Sequence, residues 1–174
     1  MSELGLLQVY TGPGKGKTTA ALGLTLRAWG RGLRVCIIQF MKVGEDYGEI
    51  IAVRKLSGVD LFQFGRDALI KKGEHTAEDV ELARAGLAKV REVLTNGRYD
   101  IVILDEINVV VDFGMLTADE VLRVVRARSN GVEVVMTGRN APPEFIEEAD
   151  LVTEMACVKH PYESGVMARP GVEY

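Results

Sequence analysis

The chain has 174 residues, 47% of them hydrophobic and 26% charged, with a formal net charge of -4. That length predicts one domain with a sizeable core over residues 1–174. The acidic balance offers no basic field for nucleic acid. The sequence holds no apolar run long enough for a membrane span and no charged leader feeding an apolar one, so a cytoplasmic protein with neither nucleic-acid nor membrane partners is expected.

Residues 6–10 predict a first strand, which feeds at once into Thr11-Gly12-Pro13-Gly14-Lys15-Gly16-Lys17-Thr18-Thr19. A glycine-rich turn between that strand and a helix over 18–29 is the placement a triphosphate-binding loop requires. The glycines let successive N–H groups turn inward, Lys17 adds a point charge, and Thr18 offers a hydroxyl to magnesium at the helix start. The usual pattern, G-x-x-x-x-G-K-[ST], puts a glycine where this chain has Thr11. Gly12 stands one residue late, so the loop is a variant.

The helix stops near Gly30-Arg31-Gly32, and residues 34–40 read as a strand buried on both faces. A short, weakly patterned helix over 48–56 follows, then an alternating third strand over 59–64 and a polar stretch over 65–75. Thr76 with Asp79 makes a capping pattern that opens a helix carrying Val80, Ala83, Leu87, Val90 and Leu94 at helical spacing, with Asn96-Gly97 as its stop. Residues 101–104 are a buried strand ending in Asp105-Glu106, and 132–137 and 151–155 supply two more. This alternation predicts a three-layer α/β architecture with a mostly parallel central sheet and helices on both faces. The tail over 159–174, with His160-Pro161 and Arg169-Pro170-Gly171, is irregular. Cys36 and Cys157 each lie inside an apolar strand-like run, which predicts buried free thiols, and neither His75 nor His160 pairs with them at a zinc-site spacing.

Asp105 and Glu106 close a buried strand, where open parallel sheets bind ligands. Such a pair holds a metal, serves as a base, or simply ends the strand as solvated acids. Arg139, at another strand end, either reaches the phosphates as a permanent planar cation or is a surface arginine in a turn. Lys42 and Arg27 are weaker phosphate candidates, and Trp29 is a packing residue. The nucleotide chemistry stays open among several readings. One is a RecA-like ATPase in which Asp105 holds magnesium and Glu106 orients water. Another is a small-molecule kinase with a thin lid of Arg66, Lys71 and Lys72. Adenosyl transfer is a third, and a pure binding module is a fourth.

Several stretches resemble one family over the whole chain: Val9-Tyr10-Thr11-Gly12 through Lys17-Thr18-Thr19, Gln39-Phe40-Met41-Lys42, Ile103-Leu104-Asp105-Glu106, Thr137-Gly138-Arg139, and the tail from Val158-Lys159-His160-Pro161-Tyr162 to Gly171-Val172-Glu173-Tyr174. It is similar to the P-loop ATP:corrinoid adenosyltransferases, whose pattern includes the displaced glycine. The resemblance implies a cytosolic homodimer with a RecA-like P-loop NTPase fold, acting on MgATP and on a corrinoid reduced to Co(I), with a flavoprotein reductase as electron donor. Cobalt would then attack the 5′ carbon of ATP and expel triphosphate, in adenosylcobalamin biosynthesis or salvage. In this family ATP lies reversed along the loop.

Carried over by position, the resemblance gives Gly12, Pro13, Gly14, Lys15, Gly16, Lys17, Thr18, Thr19 and Arg139 to ATP. It makes Thr18 and Glu106 the magnesium ligands, with Asp105 behind them, and Lys17 and Glu106 the catalytic residues. It requires no general base. Members that reduce the corrinoid in place carry aromatic residues after the third strand, which push away the lower axial ligand. This chain has Leu69 and Ile70 there, so these two are the candidates for corrin contact, or else the substrate is a corrinoid lacking the nucleotide loop. The N-terminal extension of longer relatives, which helps cover the site, is also expected to be missing.

Overall fold

The computed structural model describes residues 4–173. In chain order the elements are β1 (Leu7–Thr11), α1 (Lys17–Trp29), β2 (Val35–Phe40), α2 (Gly48–Val53), β3 (Val59–Phe64), α3 (Ala77–Thr95), β4 (Ile101–Asp105), α4 (Ile107–Asp112), α5 (Ala118–Arg126), β5 (Glu133–Thr137), α6 (Pro143–Glu148) and β6 (Leu151–Glu154). A single 3₁₀ turn, Pro161–Ser164, interrupts the otherwise irregular tail. The strands make one six-stranded sheet in the order β3-β2-β4-β5-β1-β6, with every neighbouring pair parallel.

Period-two alternation sends each strand's side chains to two different cores. Cys36, Ile38 and Phe40 of β2, Val102 and Leu104 of β4, and Val134 and Met136 of β5 join the cluster that packs beneath α3 and α5. Val35, Ile37, Ile101, Ile103 and Val135 face the other way, against Ala21 and Ala28 of α1 and Val53 of α2. Covering on both faces is what makes β2, β4 and β5 buried along their whole length and largely apolar.

Two expectations are corrected at the sheet edge. The last strand is not buried: every residue of β6 is exposed, because it pairs with β1 on one side only and none of the principal element contacts brings a helix onto it. Cys157 consequently lies on the surface, three residues past the end of that edge strand. Cys36 does sit in the core, and burial pushes its thiol up to about 12, so it stays protonated and inert. The second helix is also shorter than expected, ending at Val53. Among the described residues, no helix is long and apolar enough to cross a membrane.

α3 starts where the sequence predicts, with Thr76 accepting from the Asp79 backbone N–H and the Asp79 side chain accepting from Thr76 in return. α5 has the same reciprocal cap between Thr117 and Glu120. α4, α5 and α6 fill connections for which the sequence predicts no particular helix.

Candidate active site at the carboxyl edge

The loop between β1 and α1 curls as expected, with Gly12 at φ 96° and Gly16 at φ 121°, backbone conformations that side chains disfavour. The late glycine has a packing reason. A Cβ at Gly12 would stand 2.6 Å from the Met155 carbonyl oxygen, and one at Gly14 would stand 2.5 Å from that of Ala156. The chain leaving β6 therefore lies directly against the loop backbone, and the Gly14 N–H donates to Met155 O at 2.7 Å.

Lys17 is 8% exposed and donates to the carbonyls of Gly12 and Gly14, both at 2.7 Å. Its ammonium thus stands inside the loop's curve. Burial lowers its pKa, with Arg139 adding to the effect while Glu106 and Asp105 oppose it. Pro13, Lys15 and Thr19 are exposed along the rim, and Lys15 donates to Val172 O at 3.0 Å and Glu173 Oε1 at 2.9 Å. The C-terminal tail is tied across the loop by those two contacts.

Asp105 is 1% exposed, and both of its oxygens are engaged. Oδ1 accepts from Thr18 Oγ1 at 2.8 Å and Thr137 Oγ1 at 2.7 Å, while Oδ2 accepts from Gln39 Nε2 at 3.2 Å and Lys42 Nζ at 3.0 Å. Strand order explains Thr137. β5 lies between β1 and β4, so a hydroxyl at its end spans the gap between the loop's helix and the acid pair. The same hydroxyl accepts from the Glu106 N–H at 3.0 Å.

Glu106 is the N-cap of α4 in a left-handed conformation, φ 66°. Such a conformation in a non-glycine residue is often held by function. Burial raises its pKa, and the Asp105 charge raises it further against Lys42, Lys17 and Arg139. Burial alone would lower Lys42, but the charges of Asp105 and Glu106, with the hydrogen bond to Asp105, outweigh it and raise its pKa. The site thus sets the Asp105 and Glu106 carboxylates against the Lys42 and Lys17 ammoniums, with Lys42 paired to both acids.

Arg139 is exposed on the same rim and has no hydrogen bond or ion pair among the described residues, yet its charge is felt at both Lys17 and Glu106. Arg27 is on the exposed surface of α1, and Trp29 is 38% exposed with its indole N–H donating to Ser57 O. Gln39, Lys42, Thr137 and Asn108 are the site residues that motif reading undervalued. Asn108 is fully buried and donates to the carbonyls of Tyr10 and Gly138, tying α4 to the ends of β1 and β5. Gln39 carried a legible signal, a polar residue inside the apolar run Val-Cys-Ile-Ile-Gln-Phe.

Of the clefts at this edge, two include residues of the loop's helix or the acid pair. One, of about 480 Å³, runs from Thr18 and Thr19 between α1 and α2 to the tail at Val172 and Glu173. The other, of about 390 Å³, lies under the stretch after β3 and includes Leu69, Ile70, Glu106 and Phe113. Leu69 and Ile70 divide their tasks: Leu69 is 90% exposed, whereas Ile70 packs onto the core as the loop's anchor.

A parallel sheet with a phosphate loop after its first strand and an acid pair at its fourth defines a P-loop nucleotide-binding protein. The sequence profile of the family described as ATP:corrinoid adenosyltransferase BtuR/CobO/CobP matches residues 3–174. A corrinoid adenosyltransferase of a Sinorhizobium species is 38% identical over 99% of this chain and 81% of its own length. One of Pseudomonas aeruginosa is 36% identical over 99% and 85%, and one of Escherichia coli is 34% identical over 99% and 87%. The chain belongs to the ATP:corrinoid adenosyltransferase family.

Proposed function

We propose that this chain transfers the 5′-deoxyadenosyl group of MgATP to the Co(I) centre of a reduced corrinoid, with release of triphosphate, as one nucleotide-binding domain over residues 1–174. One observation carries the residue-level reading. Glu106, adjoining the acid that holds Thr18, lines the same cleft as the exposed Leu69, so phosphate chemistry and an apolar docking surface open onto one space. Family membership favours this over the hydrolytic reading.

In the transfer, an electron pair on cobalt forms the cobalt–carbon bond as the C5′–O bond breaks, and the bonding pair leaves on the triphosphate oxygen. Cobalt supplies both electrons and no proton moves, which is why no base is needed. The protein's task is to bind a growing polyanion and to exclude water from the reacting atoms. Lys17, the backbone N–H groups of residues 15–18 and Arg139 face the triphosphate.

The donor set suits magnesium. Thr18 and Glu106 offer hard oxygen atoms on either side of the buried Asp105 carboxylate. Among the described residues no group of three or more His, Cys, Asp or Glu could hold a metal ion by itself, so phosphate oxygens would have to supply the remaining ligands. Thr18 and Glu106 would hold it, with Asp105, saturated by its four donors, orienting Thr18 from behind. Bound there, magnesium would draw charge from the triphosphate. The further reading as a cytoplasmic homodimer supplied with electrons by a flavoprotein reductase rests on family resemblance.

An anaerobic assay with chemically reduced corrinoid and ATP tests the whole. Triphosphate and a cobalt–carbon spectrum are expected; ADP with phosphate as the product would overturn adenosyl transfer.

A further inference from the structure

Lys42 and Tyr47 are the two residues that line both clefts, the one running from the phosphate loop and the one beneath Leu69. Resting on the reading above, the carbon that changes partners must lie where these spaces meet, since it is bonded first to the nucleotide and then to cobalt. Of the two shared residues, Lys42 carries a full charge at that junction. We propose that Lys42 is a catalytic residue whose ammonium group neutralises the oxygen departing from C5′.

Its placement is built. Met41 turns the chain out of β2 in a left-handed conformation, φ 58°, and its N–H donates to Phe64 O at 2.9 Å. A Cβ at Gly65 would stand 2.3 Å from the Lys42 backbone nitrogen, so the stretch leading to Leu69 is packed against the backbone that carries this lysine. At the other end Nζ stands 3.0 Å from Asp105 Oδ2 and 3.8 Å from Glu106 Oε1. Asp105 is itself held by Thr18, Thr137 and Gln39, so the ammonium is aimed before substrate arrives and reorganises little as charge develops. Lys17 cannot take this position, because its ammonium is held within the loop by Gly12 and Gly14. A cation fixed in this way acts on the transition state more than on bound ATP, whose charge the loop already meets.

The test compares wild type with Lys42→Met, Lys42→Ala and Lys42→Arg, measuring triphosphate release, KM for ATP and for reduced corrinoid, and melting temperature. Asp105 keeps three donors in each variant, so the fold should persist. Lys42→Met should lose on the order of a hundredfold in kcat, the size expected on removing one preorganised donor, with both KM values within a few-fold of wild type. Ethylammonium should partly restore Lys42→Ala and tetramethylammonium should not, a response that a structural role would not give. A near-normal kcat in Lys42→Met, a loss expressed in KM alone, or no restoration by ethylammonium overturns the assignment. Should Lys42→Met fail to fold, Lys42→Ala decides: a loss in kcat that ethylammonium partly restores supports the assignment, and a loss in KM alone, or none, overturns it; Lys42→Arg, which keeps the charge, should retain more kcat than Lys42→Ala. If wild type itself yields ADP, adenosyl transfer falls and Lys42 with it. If wild type yields triphosphate while Lys42→Met stays active, only the role of Lys42 falls.

Discussion

At the scale of single residues, Lys17 and Glu106 lie on opposite sides of the stability–function balance. Lys17 holds two loop carbonyls and is buried against desolvation, so Lys17→Ala removes both the charge facing the triphosphate and two bonds that shape the loop. Turnover should fall on the order of a hundredfold or more, and near-normal turnover would sink the phosphate-loop assignment. Glu106 should behave differently. Its raised pKa means that the folded state binds this proton more tightly than the unfolded chain does, so its contribution to stability is fully present below the ordinary value of 4.5 and is lost as pH rises through the higher folded value. Above that window the carboxylate costs stability. Glu106→Gln should therefore melt at or above the wild-type temperature near neutral pH, while its magnesium half-saturation rises and turnover drops. A lower melting temperature with unchanged magnesium dependence would remove the ligand role. Motif spacing made the loop and the acid pair legible. Lys42 and Thr137 were not legible in their roles, because a strand-end lysine or threonine looks the same whether it faces water or a carboxylate, and only strand order tells which.

Among the elements, the stretch after β3 shows how a loop can be anchored at its ends and free at its tip. Arg66 makes a bidentate pair with Asp79, at 2.6 and 3.0 Å, which couples the loop to the N-terminal cap of α3. Arg66, together with the Thr76 backbone and hydroxyl bonds, holds the Asp79 carboxyl well below its usual range. Its stabilisation is therefore present above the ordinary value of 3.8 and lost as pH falls below it. Between that anchor and Ile70, half-buried against the core, Leu69 projects outward. Leu69→Ala should leave the melting temperature and the ATP constant nearly unchanged and raise the corrinoid constant roughly tenfold, because about 1.5 kcal/mol of leucine burial would be gained only on docking. Parallel loss of both substrates with a lowered melting temperature would make Leu69 a structural residue instead. The caps of α3 and α5 carry the same sequence signal, a threonine followed three residues later by an acid, but only that of α3 was legible in the sequence, where a long apolar periodicity follows it. α4 and α6 have six residues each, too few turns for an apolar periodicity to stand out.

Across the whole molecule, the sheet order places β1 beside β6, so the chain leaving β6 must pass the phosphate loop before it can end. Up to Ala156 it packs against Gly12 and Gly14 and is part of the loop's support. Beyond that point the tail is exposed, no buried core residue follows Phe145 among the described residues, and the tail returns to the site through Lys15, Val172 and Glu173. Exposed ion pairs of this kind are worth little and are screened by salt, so the strap should open and close readily. Its residues nevertheless form one wall of the cleft beside Thr18 and Thr19. Deleting residues 160–174 should therefore spare the fold, with a melting temperature within about 3 °C of wild type, since the apolar core is untouched. ATP affinity should fall roughly tenfold, in keeping with losing about 1.4 kcal/mol of contact along that wall. Calorimetric titration with ATP beside a melting curve separates the alternatives. A large drop in melting temperature would make the tail a structural strap. Unaltered ATP affinity in a stable truncated protein would mean that the nucleotide does not use the cleft the tail encloses, and would direct the search to the opposite side of Lys42.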